Sequence, residues 1–407
     1  MRNMLLNPGL KPYWMALVAI LVLAGCGGHN TTPPPMSQHF LYGQNAQQSS
    51  NTFTFSSVYG FSEDDRTGAL SALPGSPFTV GPAYTFSNGF GLATDSQGRF
   101  LFISSLLDAI CCYRGLSTVT SLDSKIGTVS SSPITTVNGG TFTTDPSGKF
   151  LYIASTPSFT RPECFGIDGH DLSTPNLSLI PGSPFSSSPF LPLDCVEFVS
   201  VSPGGHYLYA GGGLVVPAGS PHPIFAVFSI DSNTGTLTLV SRDNSPGVQP
   251  VGPMLFQPSG KFMYALDTRA AGPVVDLYSV NPSTGSLTFL STQVNNGLVN
   301  PIMTSSGNFL YGCMLFSGQP CQPVAYRVDS NTGALTPISG FSLGAGKGDT
   351  LILDKSGKYA YALNASFGQS SNQIFVYSVD SFTGLMTQIP SLTTTVPTGI
   401  ANIVAGR

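Results

Sequence analysis

Two carboxylates stand at one fixed distance from a recurring turn glycine: Glu197 and Asp349 each lie eight residues before it, ahead of Gly205 and Gly357 respectively. Acidic side chains that share a repeat position can face each other across a channel. There they can hold a divalent cation, accept hydrogen bonds from sugar hydroxyls or orient a water for attack on an ester carbonyl. Two solvated carboxylates at a channel entrance would leave the same trace in the sequence. Five histidines offer few other bases. His29 falls in a Pro-rich stretch, His39 and His206 precede an aromatic at equivalent repeat positions and read as structural, and His170 falls in a turn. His222, within Ser220-Pro221-His222-Pro223, sits in a loop, where it suits either a general base or a rigid turn. Neither a Gly-rich phosphate loop nor a Ser-nucleophile elbow occurs in a strand-to-helix context.

The elements that must position these residues are written as a repeat. Asp95–Phe102 (DSQGRFLF), Asp145–Tyr152 (DPSGKFLY), Ser202–Tyr209 (SPGGHYLY), Gln257–Tyr264 (QPSGKFMY), Thr304–Tyr311 (TSSGNFLY) and Asp354–Tyr361 (DKSGKYAY) are copies of one pattern, and His39-Phe40-Leu41-Tyr42 is a partial seventh. Each reads as a tight turn, whose glycine supplies a positive φ, followed by a strand. A second pattern follows, as in Ile230-Asp231-Ser232-Asn233-Thr234-Gly235-Thr236-Leu237, Val280–Leu287, Val328–Leu335 and Val379–Met386, with weaker versions around Gly68, Gly127 and Asp168. It reads as strand, Asx turn and strand. Two hairpins per unit make a four-stranded antiparallel blade, with strands A to D from the axis outward. Units recurring at roughly fifty residues predict an all-β, seven-bladed β-propeller over 38–407. The chain enters at a B-type strand (39–43) and ends on a lone A-type strand (400–405). The last strand is therefore expected to complete the first blade and leave no free sheet edge.

Composition agrees with short strands and turns. Charged residues are 9% of the chain, against about a quarter in ordinary soluble proteins, and Gly (46) and Pro (33) are abundant. A net charge of -4 lacks the clustered cations that nucleic acid requires, so nucleic-acid partners are excluded.

Residues 1–25 read as a targeting segment, with Arg2 and Lys11 before an apolar run too short to span a bilayer comfortably. The run closes on Leu23-Ala24-Gly25-Cys26, which resembles the lipobox of bacterial lipoproteins. That resemblance implies lipidation of Cys26, a membrane partner through the anchor and, with Gly27 following, delivery to the outer membrane. Residues 26–37 form a polar, Pro-rich tether. Six further cysteines in an exported chain imply disulfides. Cys313 and Cys321 flank one B-to-C loop as a hairpin staple, and Cys164 and Cys195 fall in loops of neighbouring blades as candidates for a second bridge. Cys111 and Cys112 are adjacent and bond each other or other loops. No Cys-x-x-Cys spacing supports a zinc site among them.

The recurring D-x-S-G-[KR]-[FY]-[LA]-Y strand with its downstream D-x-x-T-G-x-L turn resembles the 6-phosphogluconolactonase-type (lactonase) β-propeller family, related to YVTN-type repeats. The resemblance implies the propeller and, as one activity, lactone hydrolysis. Family enzymes commonly carry Pro-Arg-His or His-Pro-His on entry to an A strand and Asn-Glu after a B strand. Here Val251-Gly252-Pro253 and Asn300-Pro301-Ile302 occupy the first position, Leu266-Asp267-Thr268 and Leu363-Asn364-Ala365 the second. The expected function is thus a monomeric, envelope-anchored scaffold that binds a glycan, peptide or envelope protein at the axial mouth. The alternative is a hydrolase of an extracytoplasmic lactone, using Glu197, Asp349 or His222. No cofactor is required on either reading; a divalent cation at the mouth is the one candidate.

Overall fold

The computed structural model describes residues 39–49, 52–86, 88–108, 114–132, 134–138, 141–154, 166–174, 176–185, 196, 198–211, 223–244, 249–250, 252, 254–269, 272–294, 298–314, 322–344, 350–364, 372–396 and 400–406. They form seven antiparallel sheets, each the blade of a propeller. Blade four shows the plan in its simplest form, with A (Phe198–Val201), B (Tyr207–Gly211), C (Pro223–Ile230) and D (Leu237–Asn244) paired in chain order. The A strands of neighbouring blades approach one another, which puts them at the axis.

B strands are buried without alternation: Phe150–Ala154 and Phe309–Met314 are buried at every position. A central strand covered on both faces by adjacent blades has no solvent side, so its sequence reads as a continuous apolar run. The turns on either side are closed by side chains. Asp145 accepts the Phe150 amide at 2.6 Å and Asp354 the Tyr359 amide at 2.8 Å, while Ser202 and Thr304 do the same work with hydroxyls at 3.1 Å. In the C–D turns an Asx side chain accepts the next two free amides; Asp231 takes those of Asn233 and Thr234, both at 2.9 Å. These backbone bonds hold the Asp64, Asp231, Asp329 and Asp380 carboxyls below the ordinary aspartate range.

The two sequence patterns also meet in space, each in a different blade. The second aromatic of a B strand donates its hydroxyl to the carbonyl of the Thr-Gly turn one blade on: Tyr42 to Gly127 (2.9 Å), Tyr152 to Gly235 (2.8 Å), Tyr209 to Gly285 (2.7 Å), Tyr264 to Gly333 (2.7 Å), Tyr311 to Gly384 (2.8 Å) and Tyr361 to Gly68 (3.1 Å). The first aromatic lies flat on the same glycine. A Cβ added to Gly384 would stand 2.5 Å from Phe309, and one added to Gly68 would stand 2.6 Å from Tyr359. Burial drives these phenols well above the ordinary tyrosine range, so they stay protonated donors. The junction from blade two to blade three lacks this lock. There Phe102 replaces the tyrosine and packs with Leu172 and Leu177 instead.

Ring closure follows the expected plan. Ile400–Ala405 pairs antiparallel with His39–Ser49, from Leu41 opposite Ala405 to Asn45 opposite Ile400. Three blades have four strands, three add a fifth strand beside a four-strand path, and blade three has three strands among the described residues, with isolated bridges Ile167–Phe185 and His170–Leu179 where its D strand is expected. Its Pro181-Gly182-Ser183-Pro184-Phe185 segment cannot pair as a regular strand, and Ser183 Oγ instead accepts the Gly169 amide at 2.9 Å. Pro74-Gly75-Ser76-Pro77-Phe78 repeats the device in blade one, where Ser76 Oγ accepts the Gly60 amide at 3.0 Å. His170, expected in a turn, lies on a C strand, buried with Nδ1 2.9 Å from the Leu177 carbonyl.

Candidate functional site

The two faces of the disc are built differently. One carries the A–B and C–D turns, short, hydrogen-bonded and alike from blade to blade. The other carries the B–C and D–A connections, whose length varies among blades: the B–C connection runs from Arg269 to Gly272 in blade five, Gly211 to Pro223 in blade four and Ala154 to Ile167 in blade three. Unlike loops on a repeated scaffold are where binding residues are placed without cost to the core. All the acid and base candidates belong by chain position to this second face. Glu197 immediately precedes the A strand of blade four, Asp349 that of blade seven (Thr350–Leu353), and His222 the C strand of blade four. These three residues lie outside the described residues, as do Cys26, Cys111, Cys112, Cys164, Cys195 and Cys321. Cys313 is described: it is buried on the B strand of blade six.

The strands that lead to this face carry buried polar groups. Gln44, fully buried on the B strand of blade one, finds no partner for either end of its amide among the described residues. Asn372, which opens the C strand of blade seven, donates to the Ile400 carbonyl at 3.1 Å and leaves its Oδ1 unpaired among them. Asn45 donates to Ser57 at 3.0 Å and likewise leaves Oδ1 unpaired. Buried amides of this kind call for water or a hydroxylated ligand. Asp267, at one of the positions where family enzymes carry Asn-Glu, is buried at the far end of the B strand of blade five. Gly252, where family enzymes carry Pro-Arg-His or His-Pro-His, is buried, and a Cβ there would stand 2.7 Å from Leu266 Cδ1, which would have to shift.

On the opposite face, sequence reasoning overlooked a cluster at the junction of the first and last blades. His39 opens the B strand of blade one, Glu63 ends its C strand directly opposite, and Asp354 starts the A–B turn of blade seven. One potential ligand atom from each lies within 4.8 Å of the others. Asp65 Oδ1 stands 3.3 Å from His39 Nδ1. Burial pushes the Glu63 carboxyl up to about 7, opposed by the Tyr361 hydroxyl and reinforced by the charges of Asp354 and Asp65. A signal for this cluster was available. The residue of each C strand that pairs with the start of the B strand is Leu122, Leu172, Ile230, Val280, Val328 or Val379 in the other blades, and only blade one places a carboxylate there.

Seven antiparallel sheets closed into a ring define a seven-bladed β-propeller, with the B–C and D–A connections gathered on one face. Residues 198–303, from the A strand of blade four to that of blade six, match the family described as Lactonase, 7-bladed beta-propeller. Over that segment the sequence matches the family that its strand motif led us to expect, and the architecture of the described residues is that of a seven-bladed β-propeller. It is similar to a candidate 6-phosphogluconolactonase from Bacteroides fragilis, at 19% identity and a TM-score of 0.63, with 93% of this chain and 100% of that one covered. A periplasmic gluconolactonase from Pseudomonas aeruginosa is similar at 16% identity and a TM-score of 0.61, over 91% and 99% of the two chains. At these identities the likeness conveys the fold. No curated protein sequence matches the chain.

Proposed function

We propose that this lactonase-type propeller is an envelope-anchored scaffold that binds a polyhydroxylated, sugar-derived ligand at the axial mouth on the B–C and D–A face. The observation that carries this reading is the contrast between the faces: short, repeated turns on one, and on the other connections of varied length reached by strands that carry the buried amides of Gln44, Asn45 and Asn372. Glu197 and Asp349, from blades four and seven, are the carboxylates assigned to sugar hydroxyls or a divalent cation, and His222 is the candidate base. Lactone hydrolysis is the second reading. It is favoured by the family match over residues 198–303 and by the gluconolactonase named among the similar structures. The positions where family enzymes carry His or Arg are held by Val251-Gly252-Pro253 and Asn300-Pro301-Ile302, which is why binding is placed first.

Calorimetry of the full chain with gluconate-type sugars and oligosaccharides, run beside pH-stat hydrolysis of sugar and acyl lactones, tests both readings. Glu197→Gln/Asp349→Asn is the control variant. Saturable binding lost in the variant, without turnover, supports the scaffold; turnover lost in the variant supports the hydrolase; an unaltered variant or an inert protein removes the mouth assignment. Anchoring through Cys26 and a Cys313–Cys321 bridge belong to the same proposal. The full chain should fractionate with bacterial membranes and Cys26→Ser should not, and intact mass should change on reduction; equal distribution or free thiols throughout would refute them.

A further inference from the structure

We propose that His39, Glu63 and Asp354 form a divalent-metal site that clasps the last blade of the ring to the first. The cluster is not a by-product of the repeat. At the Glu63 position six blades hold an aliphatic side chain, which is what a site packed between two strands and a neighbouring blade favours. Blade one instead holds a carboxylate that is only 6% exposed, and its Oε1 accepts no hydrogen bond among the described residues. A buried carboxylate oxygen left without a donor is costly unless a cation or proton meets it. The second carboxylate, Asp354, is held in place by its own turn: it accepts the amides of Ser356 at 3.0 Å and Tyr359 at 2.8 Å, so it needs no ordering on binding. The third donor, His39, stands where other blades carry Arg99, Lys149, His206, Lys261, Asn308 and Lys358; His206 faces the aliphatic Ile230, and only in blade one does an imidazole at this position face a carboxylate.

One imidazole nitrogen with two carboxylate oxygens is a donor set for Zn²⁺ and its neighbours in the first transition row, with open positions for water. It is too poor in oxygen, and too nitrogenous, for Ca²⁺. The site would cross-link residues of the first hairpin to a turn more than 290 residues later, next to the Tyr361–Gly68 lock that closes the same junction. It lies on the face of short turns, separate from the mouth, so its test is independent of the ligand.

The full chain, stripped with EDTA and dialysed, is titrated calorimetrically with Zn²⁺, and Co²⁺ absorption is used to read coordination. The variants Glu63→Leu, His39→Lys and Asp354→Gln each introduce a residue that another blade already carries at that position, so each is expected to fold. One equivalent of Zn²⁺ should bind and raise the melting midpoint, and each variant should lose affinity by about tenfold or more, with the midpoint no longer responding to metal. Absence of saturable binding would overturn the proposal. So would Zn²⁺ bound equally by the wild type and all three variants, which would place it elsewhere, at the cysteines or His29.

Discussion

Replacing Gly384 by alanine tests the inter-blade lock most directly, because the structure supplies its own control. Gly384 has φ +75° and its added methyl would stand 2.5 Å from Phe309 Cδ1 and 2.8 Å from Ile338 Cδ1. Gly340 has nearly the same backbone, φ +78°, with nothing within 4 Å of the added atom. Gly340→Ala should therefore show only the left-handed backbone penalty, about 1–2 kcal/mol. Gly384→Ala should show that penalty and the crowding of a packed aromatic, a further 1–3 kcal/mol or so. The measurement is equilibrium urea unfolding of both variants, followed by far-UV circular dichroism and tyrosine fluorescence with the transitions required to coincide. Gly384→Ala should be the less stable by at least about 1 kcal/mol, the lower end of that crowding range. Equal costs would mean that the aromatic does not read the neighbouring glycine, and that the co-occurrence of the two motifs has another cause.

Tyr361→Phe should destabilise the ring by about 1–3 kcal/mol, since it strands the Gly68 carbonyl; Phe102→Tyr should gain nothing in the same melts, because Leu172 and Leu177 occupy the space where the other junctions present a carbonyl. Glu63 gives the pH dependence of the metal-free protein. Its folded carboxyl titrates near 7 against an ordinary 4.5, so the folded state binds the proton more tightly than the unfolded one. The resulting stability is fully present below about pH 4.5 and lost as pH rises through about 7. The loss is at most about 3 kcal/mol, less where solvent screens the group. In chelator, Glu63→Leu should flatten this slope, and a slope unchanged by the substitution would assign it to other groups.

The blades were legible because the repeat repeats its chemistry. A glycine with a short polar neighbour and an aromatic strand carries the same meaning at each copy, and the lone terminal strand announced its own place beside His39–Gly43. Two features were harder to read. Among the described residues the D strand of blade three is reduced to bridges at Leu179 and Phe185, on either side of a bend where the Ser183 hydroxyl accepts the Gly169 amide. The aromatic and Thr-Gly motifs were each recognised, but their contact links different blades and so is invisible to a reading that proceeds along the chain. The Glu63 cluster escaped for the opposite reason: attention to what the repeats share passes over the one position where blade one departs from the rest. Glu197, Asp349 and His222 were found through repeat position, which fixes the face they belong to and not the side-chain geometry between them.

The strand that closes the ring is made after every other strand described above. While the ribosome works, the first hairpin exists with Leu41–Asn45 presenting an unpaired inner edge, and its proper partner, Ile400–Ala405, is still unwritten. Until that strand emerges the nascent propeller is therefore an open arc with a receptive end, exposed to any extended segment that reaches it first. Loss of Ile400–Ala405 would make that passing state permanent.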